Sequence, residues 1–279
     1  MTGRVLIFSD LDGTLLDHHT YLADAAKPML AQLNAADIPV ILNTSKTRAE
    51  LDEITTELGI KTPFIVENGA AVFIPIGTFS TQPEDTVQID NYWVKSFCLP
   101  RQHWLDVLAE HCQDFYGSYV GFSQLSASQL VELTGLSKEK AVQAKTRLFG
   151  EPLHWKGSDS DKERFIKLLC DLGVNVLQGG RFLHVSGYCD KGQAMIWLAE
   201  CYREHYESSE IVTIALGDGD NDIAMLEAAN IAVQVRSPVN DFPILKRQIS
   251  TIQTQECGPQ GWAESLQQLL SSKLTNRGT

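Results

Sequence analysis

Val5-Leu6-Ile7-Phe8-Ser9-Asp10-Leu11-Asp12-Gly13-Thr14 sets four apolar residues ahead of two carboxylates that stand one residue apart. The apolar run is short and β-branched at Val5 and Ile7, and a Gly-containing breaker follows it, so it reads as a buried strand. In extended backbone, residues i and i+2 share a face, which lets Asp10 and Asp12 point the same way at the strand's end. Carboxylates that close repel unless a cation lies between them or one is held protonated, and either arrangement suits chemistry. Taken alone, the pentapeptide also reads as a strand ending in an Asp-rich turn, with Asp12-Gly13 as the turn pair and Thr14 bonding locally.

Outward from this strand, Asp24 to Ala36 has helical spacing of apolar residues, and Ile38 to Leu42 reads as a second buried strand. Together they make a β-α-β unit. Thr47-Arg48-Ala49-Glu50 has the form of a capping box opening a helix toward Leu58, which leaves residues 43–46 in a strand-to-helix loop. Phe64 to Val66 is a third strand, Glu67-Asn68-Gly69 a turn, and Ala70 to Ile74 a return strand.

From about Ile76 the texture turns polar and rich in Pro and Thr. A strand from Trp93 to Cys98 follows, then helices around Gln102 to Phe115, Ser126 to Leu133, Lys138 to Leu148 and Asp161 to Leu172. Strands Asn175 to Leu177 and Phe182 to Val185 flank the turn Gln178-Gly179-Gly180-Arg181. This reads as an inserted module. The alternation resumes with a helix from Lys191 to His205 capped by Asp190, a strand Ile211 to Leu216, a helix Asp220 to Ala229, a strand Ile231 to Val235 and a helix Trp262 to Leu270. The tail from Ser271 to Thr279 reads as disordered. The expected organisation is a core of residues 1–84 and 187–279 and an inserted domain of residues 85–186.

Among 279 residues the formal charge is -12 and no basic run occurs, which argues against a nucleic-acid partner. An anionic small substrate needs a local cluster of cations or N–H groups to overcome that field. Six scattered cysteines, without a C-x-x-C pair, read as thiols in a reducing compartment. The apolar run after Arg4 is too short for a signal peptide, and no stretch reaches membrane-spanning length. A cytoplasmic enzyme that contacts no membrane is expected.

Gly217-Asp218-Gly219-Asp220-Asn221-Asp222 repeats the theme of acidic residues at a strand's end. In an open α/β sheet, ligands bind at the carboxyl ends of strands, so two such clusters can converge on one hard divalent cation. By itself the stretch also reads as an acidic helix start favoured by the helix dipole. Thr44-Ser45-Lys46 offers hydroxyls and a charge at another strand end, and Asp190-Lys191-Gly192 places a Lys at a helix start. Separately these are an ordinary cap and a solvated lysine; together the four stations supply what a phosphoryl-transfer site needs.

Asp10-Leu11-Asp12-Gly13-Thr14, Thr44, Lys191 and Gly217-Asp218-x-x-Asn221-Asp222 resemble, in order and placement, the four motifs of the haloacid dehalogenase superfamily of phosphatases. The resemblance implies an α/β fold: a Rossmann-like core with a parallel sheet flanked by helices, plus an inserted α+β cap of C2 type (C2B-like) that closes over the substrate. Residues 44–50 and 63–69, Glu151-Pro152 and Gly179-Gly180-Arg181-Phe182 are similar, more narrowly, to the mannosyl-3-phosphoglycerate phosphatase family within it. The resemblance further implies that Asp10 attacks phosphorus, that Asp12 protonates the leaving oxygen and then activates water, and that Lys191 offsets charge. Thr44 and the Ser45 N–H would grip the phosphoryl oxygens. Mg2+ would be held by the Asp10 carboxylate, the Asp12 carbonyl and Asp218, with Asp222 and Asn221 supporting it. Arg181, presented by its glycine turn, is the candidate partner of a phosphoglycerate carboxylate, with Lys46 and Asn68 as secondary candidates. Its plainer reading is a hairpin-tip arginine in water. The competing functions are a general sugar-phosphate (Cof-like) phosphatase, a glucosyl-3-phosphoglycerate phosphatase, a phosphomutase, and a regulatory protein that binds a phosphorylated ligand without turning it over.

Overall fold

The apolar run ending at Ser9 forms strand β1 (Arg4–Ser9), buried from Val5 onward. In the computed structural model, residues 3–179, 181–206 and 210–275 are described, without the side chains of 179 and 272–275. After β1 come α1 (Lys27–Ala35), β2 (Val40–Asn43), α2 (Arg48–Leu58), β3 (Phe64–Val66), β4 (Ala71–Pro75), β5 (Val87–Ile89) and β6 (Tyr92–Ser96). The middle holds α3 (Arg101–His111), β7 (Tyr119–Gly121), α4 (Ala127–Thr134), α5 (Lys138–Lys145), β8 (Glu151–Trp155), α6 (Asp159–Asp171), β9 (Asn175–Gly179) and β10 (Phe182–Ser186). The chain finishes with α7 (Lys191–His205), β11 (Ile211–Gly217), α8 (Ile223–Ala228), β12 (Ile231–Arg236), β13 (Thr251–Cys257) and α9 (Gly258–Thr275).

Contacts divide the chain into two compact units. The first comprises Met1–Ser45, Leu58–Lys95 and Asp190–Thr279, and the second Lys46–Glu57 and Ser96–Cys189. In the first unit a nine-stranded sheet runs in the order β13-β12-β11-β1-β2-β3-β4-β6-β5. Neighbours from β13 through β3 pair parallel, whereas β4 returns antiparallel on β3 with Phe64 opposite Phe73. The chain steps outward from β1 to β2 and β3 on one side, and from β11 to β12 and β13 on the other. The strand order therefore reverses between β1 and β11, and a crevice at their carboxyl ends is where such sheets bind ligands. Leu6, Ile7 and Phe8 of β1 and Ile214, Ala215 and Leu216 of β11 have no exposed surface, so a rigid floor supports that crevice.

The second unit has its own four-stranded antiparallel sheet, β7-β8-β10-β9. Trp104, Leu108, Phe115, Leu153, Phe165 and Leu183 form its main core, and Phe122, Leu125 and Leu130 a second cluster under α4 and α5. A separate sheet with a separate core is what an inserted α+β domain requires.

The boundaries differ from the 85–186 expected on texture. Residues 85–95 pair as the β5-β6 hairpin at the edge of the large sheet, with Lys95 Nζ 3.2 Å from Asp85. α2 groups with the second unit, where the Thr47 hydroxyl donates to the Gln143 carbonyl at 3.0 Å and the Gln143 amide to Glu53 at 2.5 Å. The expected capping box is present: Thr47 N–H donates to Glu50 at 2.9 Å and Glu50 N–H to the Thr47 hydroxyl at 3.2 Å. Strands β5, β7, β8 and β13 are additions to the elements expected from sequence. β13, Thr-Ile-Gln-Thr-Gln-Glu-Cys, is a mostly polar edge, and β8 carries Pro152, so neither shows the apolar pattern of a strand. α9 extends past the expected Leu270 to Thr275, so 271–275 is helical and not disordered, while 276–279 lies outside the described residues. Among the described residues no helix is long and apolar enough to cross a membrane, and no disulfide is present.

Candidate active site

The first acidic station is an extension of β1. Asp10 N–H donates to the Leu216 carbonyl at 2.9 Å, carrying the parallel ladder one residue past the strand and setting Asp10 beside the end of β11. The chain then doubles back, with Leu16 N–H on the Leu11 carbonyl at 2.8 Å and Gly13 N–H on the Leu16 carbonyl at 2.9 Å. Gly13 has φ +83°, and a Cβ there would lie 2.5 Å from Asp218 Oδ2. Only glycine meets both demands, the left-handed backbone and the close approach of the second acidic loop. The Thr14 hydroxyl donates to Asp218 Oδ1 at 3.1 Å, so it reaches across the sheet, where sequence suggested a local bond.

The loop after β11 is folded around Asp222. Its Oδ2 accepts N–H bonds from Asp218 and Gly219, both at 3.0 Å. Gly217 is required by packing, since a Cβ would stand 2.4 Å from Asp222 Cγ. A 3-10 turn (Asp220–Asp222) precedes α8.

The third station is the start of α7. Asp190 accepts the Gln193 N–H at 2.8 Å, the cap expected from sequence. Lys191 follows as the first helical residue, with no exposed surface. Its Nζ donates to Asp10 Oδ1 at 2.5 Å and to Asp222 Oδ1 at 2.6 Å. Asn43, at the end of β2, holds the same helix start by donating to the Lys191 carbonyl at 2.9 Å. Sequence reading does not single out Asn43; its only signal is its place at a strand end.

Thr44, also buried, continues from β2, and its carbonyl accepts the Asn68 N–H at 2.9 Å. Asn68 belongs to a left-handed run, Glu67 at φ 49°, Asn68 at 60° and Gly69 at 91°. A Cβ on Gly69 would lie 2.0 Å from the Asp190 carbonyl oxygen, so this turn is pressed against the cap of the Lys191 helix. Asn68 Oδ1 also accepts from the Asn221 amide at 3.2 Å. The first unit thus gathers Asp10, Lys191, Asp218 and Asp222 into one contact network, with Thr14, Thr44, Asn68 and Asn221 bonded along it.

Asp12 is half-buried, and its carboxylate is not among the three that converge. Ser45 is half-buried in the first unit. Lys46 groups with the second unit, its Nζ 3.9 Å from Glu50. Arg181, also there, is exposed, and its guanidinium donates to the Thr134 carbonyl at the end of α4 at 3.2 Å. Gly180 of its expected turn lies outside the described residues.

Electrostatics identifies what the network can hold. Three buried carboxylates, Asp10, Asp218 and Asp222, bring oxygens within 4.8 Å of one another against a single ammonium. Burial, with the charges of Asp222 and Asp218, pushes Asp10 up to about 8 against the opposing pull of Lys191. Asp218 is also raised, by burial first and then by Asp222, with the Thr14 and Ser237 hydroxyls opposing. Burial would lower Lys191, but the Asp10 and Asp222 carboxylates outweigh it and hold the ammonium above the ordinary lysine range. Excess negative charge on clustered hard oxygens fits a divalent cation.

Comparison with known proteins shows what the chain is similar to. The family model for haloacid dehalogenase-like hydrolases matches residues 7–239. A glucosyl-3-phosphoglycerate/mannosyl-3-phosphoglycerate phosphatase from Methanococcoides burtonii is 39% identical over 267 residues, covering 95% of this chain and 97% of the relative. Among solved structures, a haloalkanoate-superfamily phosphatase from Bacteroides thetaiotaomicron shares the fold with a TM-score of 0.62 at 18% identity, covering 95% of each chain. The sucrose-phosphatase of Synechocystis, solved with sucrose and phosphate, has a TM-score of 0.55 at 16% identity, covering 96% of this chain and 98% of its own.

Proposed function

Because the chain belongs to the haloacid dehalogenase-like hydrolase family, we propose that it is a Mg2+-dependent phosphatase of glycosyl-3-phosphoglycerates, acting through an aspartyl-phosphate on Asp10. Mannosyl-3-phosphoglycerate is the foremost substrate, hydrolysed to mannosylglycerate and phosphate. The observation that carries the chemistry is Lys191 Nζ, fully buried, bridging Asp10 and Asp222 beside Asp218. The substrate class is supported by the 39% identical relative, whose chain this one spans nearly end to end.

The Asp10 carboxylate attacks phosphorus, a P–O(Asp10) bond forms, and the bond from phosphorus to the glycerate oxygen breaks. Asp12 supplies the proton that the departing oxygen takes. In the second half Asp12 removes a proton from water, which attacks phosphorus and frees Asp10 and inorganic phosphate. Lys191 stabilises negative charge on Asp10 and on the phosphoryl group, and Thr44 with the Ser45 N–H orients the phosphoryl oxygens. Asp10, Asp218 and the Asp12 carbonyl would hold Mg2+, with Asp222 and Asn221 in support, and the ion would supply the charge that lets one anion approach another. Arg181 is assigned to the substrate's carboxylate, with Lys46 and Asn68 as further binding residues. The scattered spacing of six cysteines, with no C-x-x-C pair, supports a cytoplasmic setting.

The test is phosphate release with Mg2+ over a panel of mannosyl- and glucosyl-3-phosphoglycerate and simple hexose phosphates. The proposal expects the two glycosyl-phosphoglycerates to have kcat/KM at least about tenfold higher, the discrimination that one well-placed charged contact provides. Equal or better turnover of hexose phosphates would contradict the substrate class, and no release from any of them would contradict the enzyme.

A further inference from the structure

α9 lies beyond residue 239, where the family match ends, yet it bonds to Ser9, the neighbour of the residue proposed as nucleophile. Its apolar stripe, Trp262, Leu266 and Leu270, is completely buried. Gly261 permits this seating: a Cβ there would lie 2.2 Å from the Glu256 carbonyl oxygen, so the first turn of α9 is packed hard against the end of β13. Trp262 Nε1–H donates to the Ser9 hydroxyl at 3.0 Å, and that hydroxyl donates to the Asp10 carbonyl at 2.7 Å. Ser9, like Trp262, has no exposed surface.

Chemistry fixes the direction of this chain. An indole N–H can only donate, so the serine oxygen accepts from it and its single proton is left for Asp10. In a dry interior the two bonds reinforce each other, and removing either donor leaves a buried acceptor unsatisfied. Asp10 is therefore gripped on both sides of its Cα: its N–H by Leu216, its carbonyl by Ser9 and Trp262. The peptide plane held by that carbonyl is the one from which the turn to Asp12 departs.

We propose that Trp262 is a positioning residue for phosphoryl transfer, acting through Ser9 to hold the backbone of Asp10 in attacking geometry. The inference rests on Asp10 being the nucleophile, as proposed above. It is tested with Trp262→Phe, which keeps an aromatic ring but removes the N–H, with Ser9→Ala, and with the double variant, all in the full chain. Turnover is read on both mannosyl-3-phosphoglycerate and p-nitrophenyl phosphate, alongside thermal unfolding. A misaligned nucleophile predicts kcat lowered about 3- to 10-fold in each single variant, with KM within twofold. The double variant should be no slower than the slower single one, because both changes cut the same relay. Trp262→Phe with wild-type kcat and only a lowered Tm, or losses that multiply in the double variant, would overturn the proposal. A wild type that turns over p-nitrophenyl phosphate alone would refute the substrate reading while leaving this comparison intact.

Discussion

Lys191 Nζ stands 2.5 Å from Asp10 Oδ1 while its other hydrogen bond, at 2.6 Å, ties it to Asp222. One buried ammonium thus orients the proposed nucleophile and anchors the second acidic loop. Replacing it by an apolar side chain, Lys191→Met, removes the cation bonded to Asp10 and leaves the buried Asp222 carboxylate without its ammonium partner. The expected outcome is a loss of about 10^3-fold in kcat, the scale of removing a preorganised charge from a transition state. Urea unfolding at neutral pH should show a loss of about 3–5 kcal/mol, the usual cost of breaking one side of a buried pair. Turnover within tenfold of wild type would contradict the role.

The same cluster sets a pH dependence. Asp10 is raised from 3.8 to about 8, so between those values the folded chain holds a proton that the unfolded chain has released. Stability of the metal-free protein should therefore decline as pH rises from about 4 to about 8 and flatten above that. Saturating Mg2+ should remove most of the slope, because the bound cation favours ionised Asp10. Thermal unfolding from pH 5 to 9, with and without Mg2+, checks this; identical slopes would contradict cation binding at Asp10.

Gly69 offers a purely steric prediction. Its φ of +91° disfavours any side chain, and an alanine Cβ would meet the Asp190 carbonyl oxygen at 2.0 Å. Gly69→Ala should lose at least about 1–3 kcal/mol from backbone strain alone. The clash falls on the cap that presents Lys191, so kcat should fall together with the urea midpoint. Gly59, at φ +67° with open space around it, is the control: Gly59→Ala should cost stability and spare kcat.

Arg181→Ala is expected to raise KM for mannosyl-3-phosphoglycerate about 10- to 100-fold, the range for one hydrogen-bonded charged contact. KM for mannose phosphates, which lack the carboxylate, should stay within twofold. Equal effects on both substrate types would remove Arg181 from recognition of the carboxylate.

Much of the large sheet is legible in the sequence because each of its inner strands is a short apolar run, and the chemistry follows those runs at their carboxyl ends. Asp10, Thr44 and Asp218 stand out in this way, and Lys191 by following the cap of a helix. The capping box of Thr47 and Glu50 is equally visible, being local. β13 is not, since a polar edge strand buries too little to show an apolar pattern. The β5-β6 hairpin is misplaced by texture because pairing to a distant sheet edge leaves no mark on composition. Least legible are the contacts that set side-chain geometry. Thr14 meets Asp218 across 204 positions, and Trp262 meets Ser9 across 253, separations at which neither spacing nor propensity carries a signal.

The covalent role proposed for Asp10, on which the mechanism depends, is measured most directly by trapping. Asp12→Asn should slow attack by water but not the departure of p-nitrophenolate, which needs no proton, and so let the acyl phosphate accumulate with p-nitrophenyl phosphate and Mg2+. Acid quench, borohydride reduction and peptide mass spectrometry should then find homoserine at position 10 only when substrate was present. Phosphate release by the wild type together with an unreduced Asp10, or reduction at another carboxylate, would contradict it.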